Sequence, residues 1–335
     1  MQITKWVMLL ILLPLVSACS SINKDFLQNF TKDNQVAAGS ASSPIVSMKF
    51  SKEGFLVIGR ESGTIDVWDT AKSQPKREIK AHSYPANSIT FTPEGDAFFS
   101  SSYFENSTKL WSIKTGEQLF LVRRMNGPVG TTPDEHIYVI ANGDYLSFFD
   151  SKQKLVLPEK YPCSGIVKVI ATDVTSGRIA VGTESGTIEV WQYFESKGKP
   201  TLKKASDAKP YQFGDWVVGL QFSSSGNSLY SVARFGSIDE WASNTLEKRR
   251  SVPTILKYVH STAFLRDKDL LALAGTEEKV GTGPGSVEVI SLATGESRKY
   301  PVNTNLAVVE FLQPISSFIA AQSKSTSVFT LPQAK

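Results

Sequence analysis

The fold class this sequence predicts is all-β, with one small antiparallel sheet repeated along the chain. Three observations predict it. The octapeptide ESGTIDVW at 61–68 returns as ESGTIEVW at 184–191, 123 residues later. Repetition at that scale marks a structural unit stacked several times, since two identical loops so far apart answer no catalytic need. The interval divides into three units of 41, and the intermediate copies stand where that division puts them: STKLWS with Trp111, and YLSFFD with Phe149 in the tryptophan position. Finally, residues 55–58, 137–141 and 270–274 are apolar without alternation, which implies strands buried on both faces.

Carried forward, the pattern gives GSIDEWA with Trp241, GSVEVIS with Ile290 and STSVFT with Phe329. The anchors Trp68, Trp111, Phe149, Trp191, Trp241, Ile290 and Phe329 therefore make seven copies. Upstream of each anchor lies a pair of strands joined by a turn, as in IVSMKF–SKEG–FLVIG (45–59) and VVGLQF–SSSG–SLYSV (217–232). Gly, Ser and Pro in those turns supply the backbone angles that tight reversals need. Strands buried on both faces within small repeated sheets describe blades stacked side by side. The segment FSKEGFLVIGRESGTIDVWD (50–69) resembles a WD-repeat, with Trp68-Asp69 ending the third strand. The resemblance extends from Pro44 to Leu331 and implies a seven-bladed β-propeller of four-stranded antiparallel blades, closed by an N-terminal strand. KDFLQNFT (24–31) is the candidate closing strand.

The pattern departs from that family at its polar positions. A WD-repeat often has a His before the innermost strand and an Asp six residues before the Trp. His82 fits the first, but the turn positions hold Ser62, Glu105, Ser185 and Phe235. Blade stability is therefore expected to rest more on packing of Trp68, Trp111, Trp191 and Trp241 than on a polar network.

At the N-terminus, MQITKWVMLLILLPLVSACSS has one cation, Lys5, then an apolar run from Trp6 to Val16 and small residues. It reads as a secretory signal peptide, residues 1–18, too short to span a membrane comfortably. VSAC (16–19) resembles the lipobox of bacterial lipoproteins, which implies cleavage before Cys19 and acylation (palmitate among the chains) of that cysteine. Three acyl chains would anchor firmly where one holds marginally. Ser20, where an Asp would signal inner-membrane retention, points to the outer membrane, facing the periplasm. Residues 19–43 are expected to be the lipidated N-terminus, linker and closing strand, and 44–335 the propeller. Only Ser20 to about Asn23 would separate lipid from disk, a reach of roughly 13 Å.

Composition bounds the function further. Apolar residues at 41 % and aromatic residues at 10 % supply a core, and 20 % charge is too little for a disordered chain. Removing residues 1–18 takes away one lysine, leaving 35 basic against 32 acidic side chains. With EKRR (247–250) the only basic block, no nucleic-acid partner is expected. Cys163 is left alone and is read as a buried small hydrophobe. His82, His136 and His260 lie in different repeats without metal-ligand spacing, so no metal or other cofactor is expected. GTGPGS (281–286) precedes no helix and is no phosphate cradle. Asp66 and Glu189 are read as exposed strand positions, and the chain as non-enzymatic.

What a propeller offers is a rim of loops on a stiff scaffold. The positions before each inner strand and after each middle strand give Arg60, Tyr84, Tyr103, Phe104, Asp215, Trp216, Arg234, Phe235 and His260 as candidate partner-binding residues, rich in the types that dominate binding hot spots. YQFGDW (211–216) is the densest aromatic cluster outside the strands. The expected function is a membrane-anchored scaffold binding other envelope proteins. The alternatives are a subunit of an outer-membrane assembly machine, and a propeller that binds or acts on a small molecule or glycan in its central channel.

Overall fold

The structure, a computed structural model, describes residues 43–331 apart from Ser73, Phe213, Val280, 305–306, 313–316 and 323–324. The signal peptide, Cys19 and the expected closing strand at 24–31 lie outside the described residues.

Seven antiparallel sheets succeed one another along the chain. Their first strands are Ile45–Phe50, Ser88–Phe91, Val129–Thr131, Val167–Asp173, Val217–Phe222, Tyr258–Leu265 and Ala307–Leu312. Within each sheet the remaining strands are added outward in chain order. Each first strand packs beside the next, and Ala307–Leu312 returns against Ile45–Phe50. The ring closes with seven blades.

Two blades depart from the four-strand pattern. In the third, the outer strand is broken into Leu155–Val156 and Tyr161–Pro162, both paired with Tyr145–Asp150. Pro158 stands in the gap, and proline has no N–H to offer the ladder. The seventh has three described strands, and the segment expected to complete it is 24–31. In the fourth blade, Ile188–Ser196 and Lys199–Ala208 form a long hairpin turned by Lys197 and Gly198, both at positive φ, as a two-residue hairpin loop requires.

The core lies between blades, so it is a set of interblade layers rather than a single nucleus. Ile45, Met48, Leu56, Ile58 and Trp68 of the first blade pack on Val308, Leu312, Ile319 and Ala321 of the seventh, which holds the ring shut. The second strands are buried on both sides: Leu56, Val57 and Ile58, like Leu271 to Ala274, have no exposed surface. Six anchors, Trp68, Trp111, Phe149, Trp191, Trp241 and Ile290, are buried in third strands. Phe329, the seventh, is partly buried and stacks on Phe318, ring centroids 5.0 Å apart.

The repeated octapeptide has a geometric cause. Its glycines, Gly63 and Gly186, have φ of 83° and 78°, a region glycine enters without steric cost. A Cβ on Gly63 would collide with the His82 carbonyl, and one on Gly186 would sit 2.6 Å from that of Tyr211. In both blades the turn lies against the segment running from the fourth strand to the next blade.

Candidate functional site

The loops at the starts of the first strands and the ends of the second strands share one face of the disk. Seven of the nine sequence candidates meet there in a continuous chain. Tyr84 contacts Phe104 with centroids 6.2 Å apart, and Phe104 meets Tyr103 edge-on at 5.5 Å. Lys168 Nζ lies 5.8 Å from the Tyr103 ring and 4.4 Å from that of Trp216. Arg234 covers Trp216 from 4.6 Å and Tyr258 from 4.9 Å, and its Nε donates to the Tyr258 hydroxyl at 2.8 Å. Phe235 closes the chain 6.1 Å from Tyr258, while its N–H donates to Asp215 Oδ1 at 2.8 Å. Cations held over aromatic faces at these distances are attracted by the ring quadrupole, more strongly where water is excluded.

The scaffold fixes these side chains. Tyr103 is held at its backbone by Asn87 Oδ1 and by the Asn126 side-chain amide, and Arg234 N–H donates to the Trp216 carbonyl at 2.8 Å. The outer edge of the chain is open, with Phe104 68 % and Tyr84 51 % exposed. Its centre is half-buried and electrostatically tense. Burial and the Arg234 charge lower the Lys168 ammonium's pKa, opposed by Glu184. Asp215 is raised by burial, against the Phe235 N–H and Arg234.

Lys168 and Tyr258 were missed by reading the loops alone, because both lie inside first strands. Their signal was present: a lysine directly after Val167 in an apolar run, and a tyrosine two residues before His260. Arg60 does not join the chain. Its guanidinium is buried, donating to Asp66 Oδ2 at 2.7 Å and to the Ser43 carbonyl at 2.9 Å. His260 opens instead onto the central channel. Burial and Arg234 lower its pKa.

Beneath the face, the polar interior corrects two expectations. In the second blade, His82 Nδ1 lies 2.8 Å from Glu105 Oε2, and its Nε2 lies 2.7 Å from Ser100 Oγ. The Trp111 indole donates to the same hydroxyl at 2.9 Å. Glu105 also takes Lys109 Nζ at 2.7 Å. The glutamate occupies the position where an Asp was expected and makes the bond an Asp would make. Burial and Lys109 lower the His82 pKa, which fits a neutral ring donating from Nδ1. Burial pushes Glu105 up, and hydrogen bonds from Lys109, the Ser83 N–H and His82 outweigh it.

Other blades rebuild the network from different groups. In the fifth, Tyr211 takes the place of His82: its hydroxyl lies 2.7 Å from Ser231 Oγ and donates to Asp239 Oδ2 at 3.0 Å, with Trp241 donating to Ser231 at 2.8 Å. Tyr211, the first residue of YQFGDW, is thus interior rather than rim. In the fourth blade Trp191 donates to Glu189 Oε2 at 3.0 Å, while Ser164 and Lys204 hold Oε1. The carboxylates two residues before the anchors, read as exposed, are interior. Glu189 and Glu288 have no exposed surface and Asp239 only 3 %, and Asp66 is ion-paired with Arg60. Glu189, Asp239 and Glu288 each tie their third strand to the segment entering the blade, through Ser164, Tyr211 and Thr254, whereas Asp66 ties its third strand to the end of the second through Arg60.

The remaining candidates have local roles. His136 pairs with Asp134 at 2.6 Å on the third blade. Cys163 is half-buried, its thiol pushed up by burial and the Glu189 carboxylate, so little of it is the reactive thiolate. Among the described residues, no three of His, Cys, Asp and Glu gather to hold a metal ion, and no helix is long and apolar enough to cross a membrane.

Residues 73–112 match the family model described as "WD domain, G-beta repeat". The match covers the outer strand of the first blade and the first three strands of the second, and so includes the complete His82–Glu105–Ser100–Trp111 network. Among solved structures, the chain is similar to the β-propeller domain of Cps50 (Swd1) from Myceliophteria thermophila. The TM-score is 0.72 at 15 % identity, over 87 % of this chain and 97 % of that one. That likeness establishes the fold. No curated protein matches the chain by sequence. The repeat match identifies one WD repeat in the chain, and the structural likeness shows the propeller fold to which that repeat belongs.

Proposed function

We propose that this chain is a lipid-anchored scaffold of the bacterial envelope, tethered through Cys19 to the outer membrane on its periplasmic side, and that it binds envelope proteins through the aromatic face. The observation that carries the binding role is the unbroken chain from Tyr84 to Phe235, in which two cations are held over Trp216. Rigid aromatics present large contact areas at small entropic cost, and Tyr, Trp and Arg are the residue types enriched in interface hot spots. The repeat family supports protein partners and a non-enzymatic role. The location rests on the apolar run ending at VSAC.

Two experiments separate the parts of this reading. In-cell crosslinking of the wild type and Trp216→Ala should capture a discrete envelope protein that the variant loses while remaining folded and membrane-bound. Equal capture by both, or by neither, counts against the face. Cys19→Ser should abolish palmitate labelling and release the chain from membranes. A labelled, membrane-bound Cys19→Ser chain would remove the anchor from the proposal.

A further inference from the structure

The axis of the ring is a channel whose charged lining has one sign. At the aromatic face its cavity, of about 370 Å³, touches the first strands of all seven blades. Towards the opposite face it continues as a cavity of about 450 Å³. Among the described residues lining the two, every ionisable group is basic: Lys168 and His260 at the aromatic end, Lys49 midway, and Lys52 at the far end. Glu310, the carboxylate paired with Lys49 at 3.3 Å, belongs to the first strand of the seventh blade, is buried and is not among the residues lining either cavity. Serine and threonine side chains and strand backbone make up much of the remaining wall.

Backbone irregularity places the two basic groups at the mouth. In the first, fourth, fifth and sixth blades the pairing of first and second strands slips by one residue, skipping Val46, Lys168, Val218 and His260. A bulge re-aims the side chain it carries, and all four bulged residues line the mouth. Two present methyl groups and two present nitrogen donors. Arg234, above them on the face, bears electrostatically on both Lys168 and His260. Nearby acidic groups lie outside the lining: Glu184 acts on Lys168, and Asp215 accepts from the Phe235 N–H. Lys168 and Arg234, both half-buried, act on one another as like charges, and an anion placed between them and His260 relieves that repulsion while gaining charge-assisted hydrogen bonds.

We infer that the mouth of the channel is a binding site for a carboxylate or phosphate group, held by the Lys168 ammonium and a His260 ring N–H, with Arg234 as a second positive charge. The site goes beyond the scaffold reading and does not depend on it, because it can be filled by a free small anion. It can also be filled by an acidic side chain of a protein seated on the face.

Calorimetric titration of the full chain with inorganic pyrophosphate, with citrate and with a hexaglutamate peptide tests the inference and separates the sources. One-to-one saturable binding of at least one probe is expected, weakened about tenfold or more by Lys168→Gln and again by His260→Gln, as loss of a charged hydrogen bond implies. Preference for the small anions identifies a free ligand, and preference for the peptide identifies a partner's acidic segment. Should Lys168→Gln fail to fold, judged by its thermal transition, His260→Gln carries the test alone. Absence of saturable binding by all three probes, or binding that neither substitution weakens, overturns the site. A partner lost in Trp216→Ala with no anion bound would leave the face intact and remove only the channel.

Discussion

Removing one hydroxyl from the second blade should destabilise the protein more than its size suggests. Ser100 has no exposed surface, and its Oγ lies 2.7 Å from His82 Nε2 and 2.9 Å from Trp111 Nε1. Ser100→Ala deletes little volume but leaves two buried nitrogens without that partner, each costing about 1–3 kcal/mol. The sum, about 2–6 kcal/mol, corresponds to a fall in Tm of roughly 3–10 °C for a chain of this size. The matching position in the fifth blade provides the control. Ser231→Ala orphans the Trp241 indole, but the Tyr211 hydroxyl keeps Asp239 at 3.0 Å, so about half the loss is expected. Thermal unfolding followed by circular dichroism, with both variants under one buffer, reads the difference. If Ser100→Ala costs no more than Ser231→Ala, or less than about 0.5 kcal/mol, the claim that the polar network stabilises this blade is wrong.

Further outcomes follow from other contacts. Asp173 joins Arg178 of its own blade to Arg266 of the sixth, each at 3.0 Å. Asp173→Ala should cost about 2–3 kcal/mol, below the range for a fully buried pair because Arg266 is partly exposed, measurable by urea unfolding. Because burial lowers the His82 pKa, the unfolded chain binds that proton more readily. Its contribution is present above about pH 6.5 and is lost as pH falls below it. Wild type should therefore lose Tm between pH 7.5 and 5.5 more steeply than His82→Asn, compared by scanning calorimetry. Gly186→Ala places a Cβ 2.6 Å from the Tyr211 carbonyl at a φ of 78°. It should destabilise by about 2 kcal/mol or more, whereas alanine at the open Gly143 should cost only the strain of its positive φ.

The repeat was legible because each blade solves the same problem, burying a second strand on both faces, and so reuses the same residue types at the same interval. The interior polar groups were harder to read. Glu105 looked like a lost aspartate, and Glu189 like a surface charge, because a carboxylate's burial depends on what the neighbouring segment brings to it: His82 and Lys109 in one case, Ser164 and Lys204 in the other. Tyr211 looked like part of an exposed aromatic cluster for the same reason. Nothing local distinguishes it from Trp216, although its hydroxyl is aimed at Ser231 and Asp239.

The sequence by itself determined the class, the number of blades, the anchor of each third strand and the loops from which a binding face could be drawn, because those follow from short-range period and turn chemistry. Only the tertiary structure decided which loop residues meet. Lys168 reaches Tyr103 of the second blade and Trp216 at the entry to the fifth because closing the ring brings the blade entrances together over one axis. It also decided that the channel's charged lining is basic, since a one-residue slip in strand pairing turns Lys168 and His260 inward. Such a slip is set by how two strands meet, which neither strand's own residues reveal.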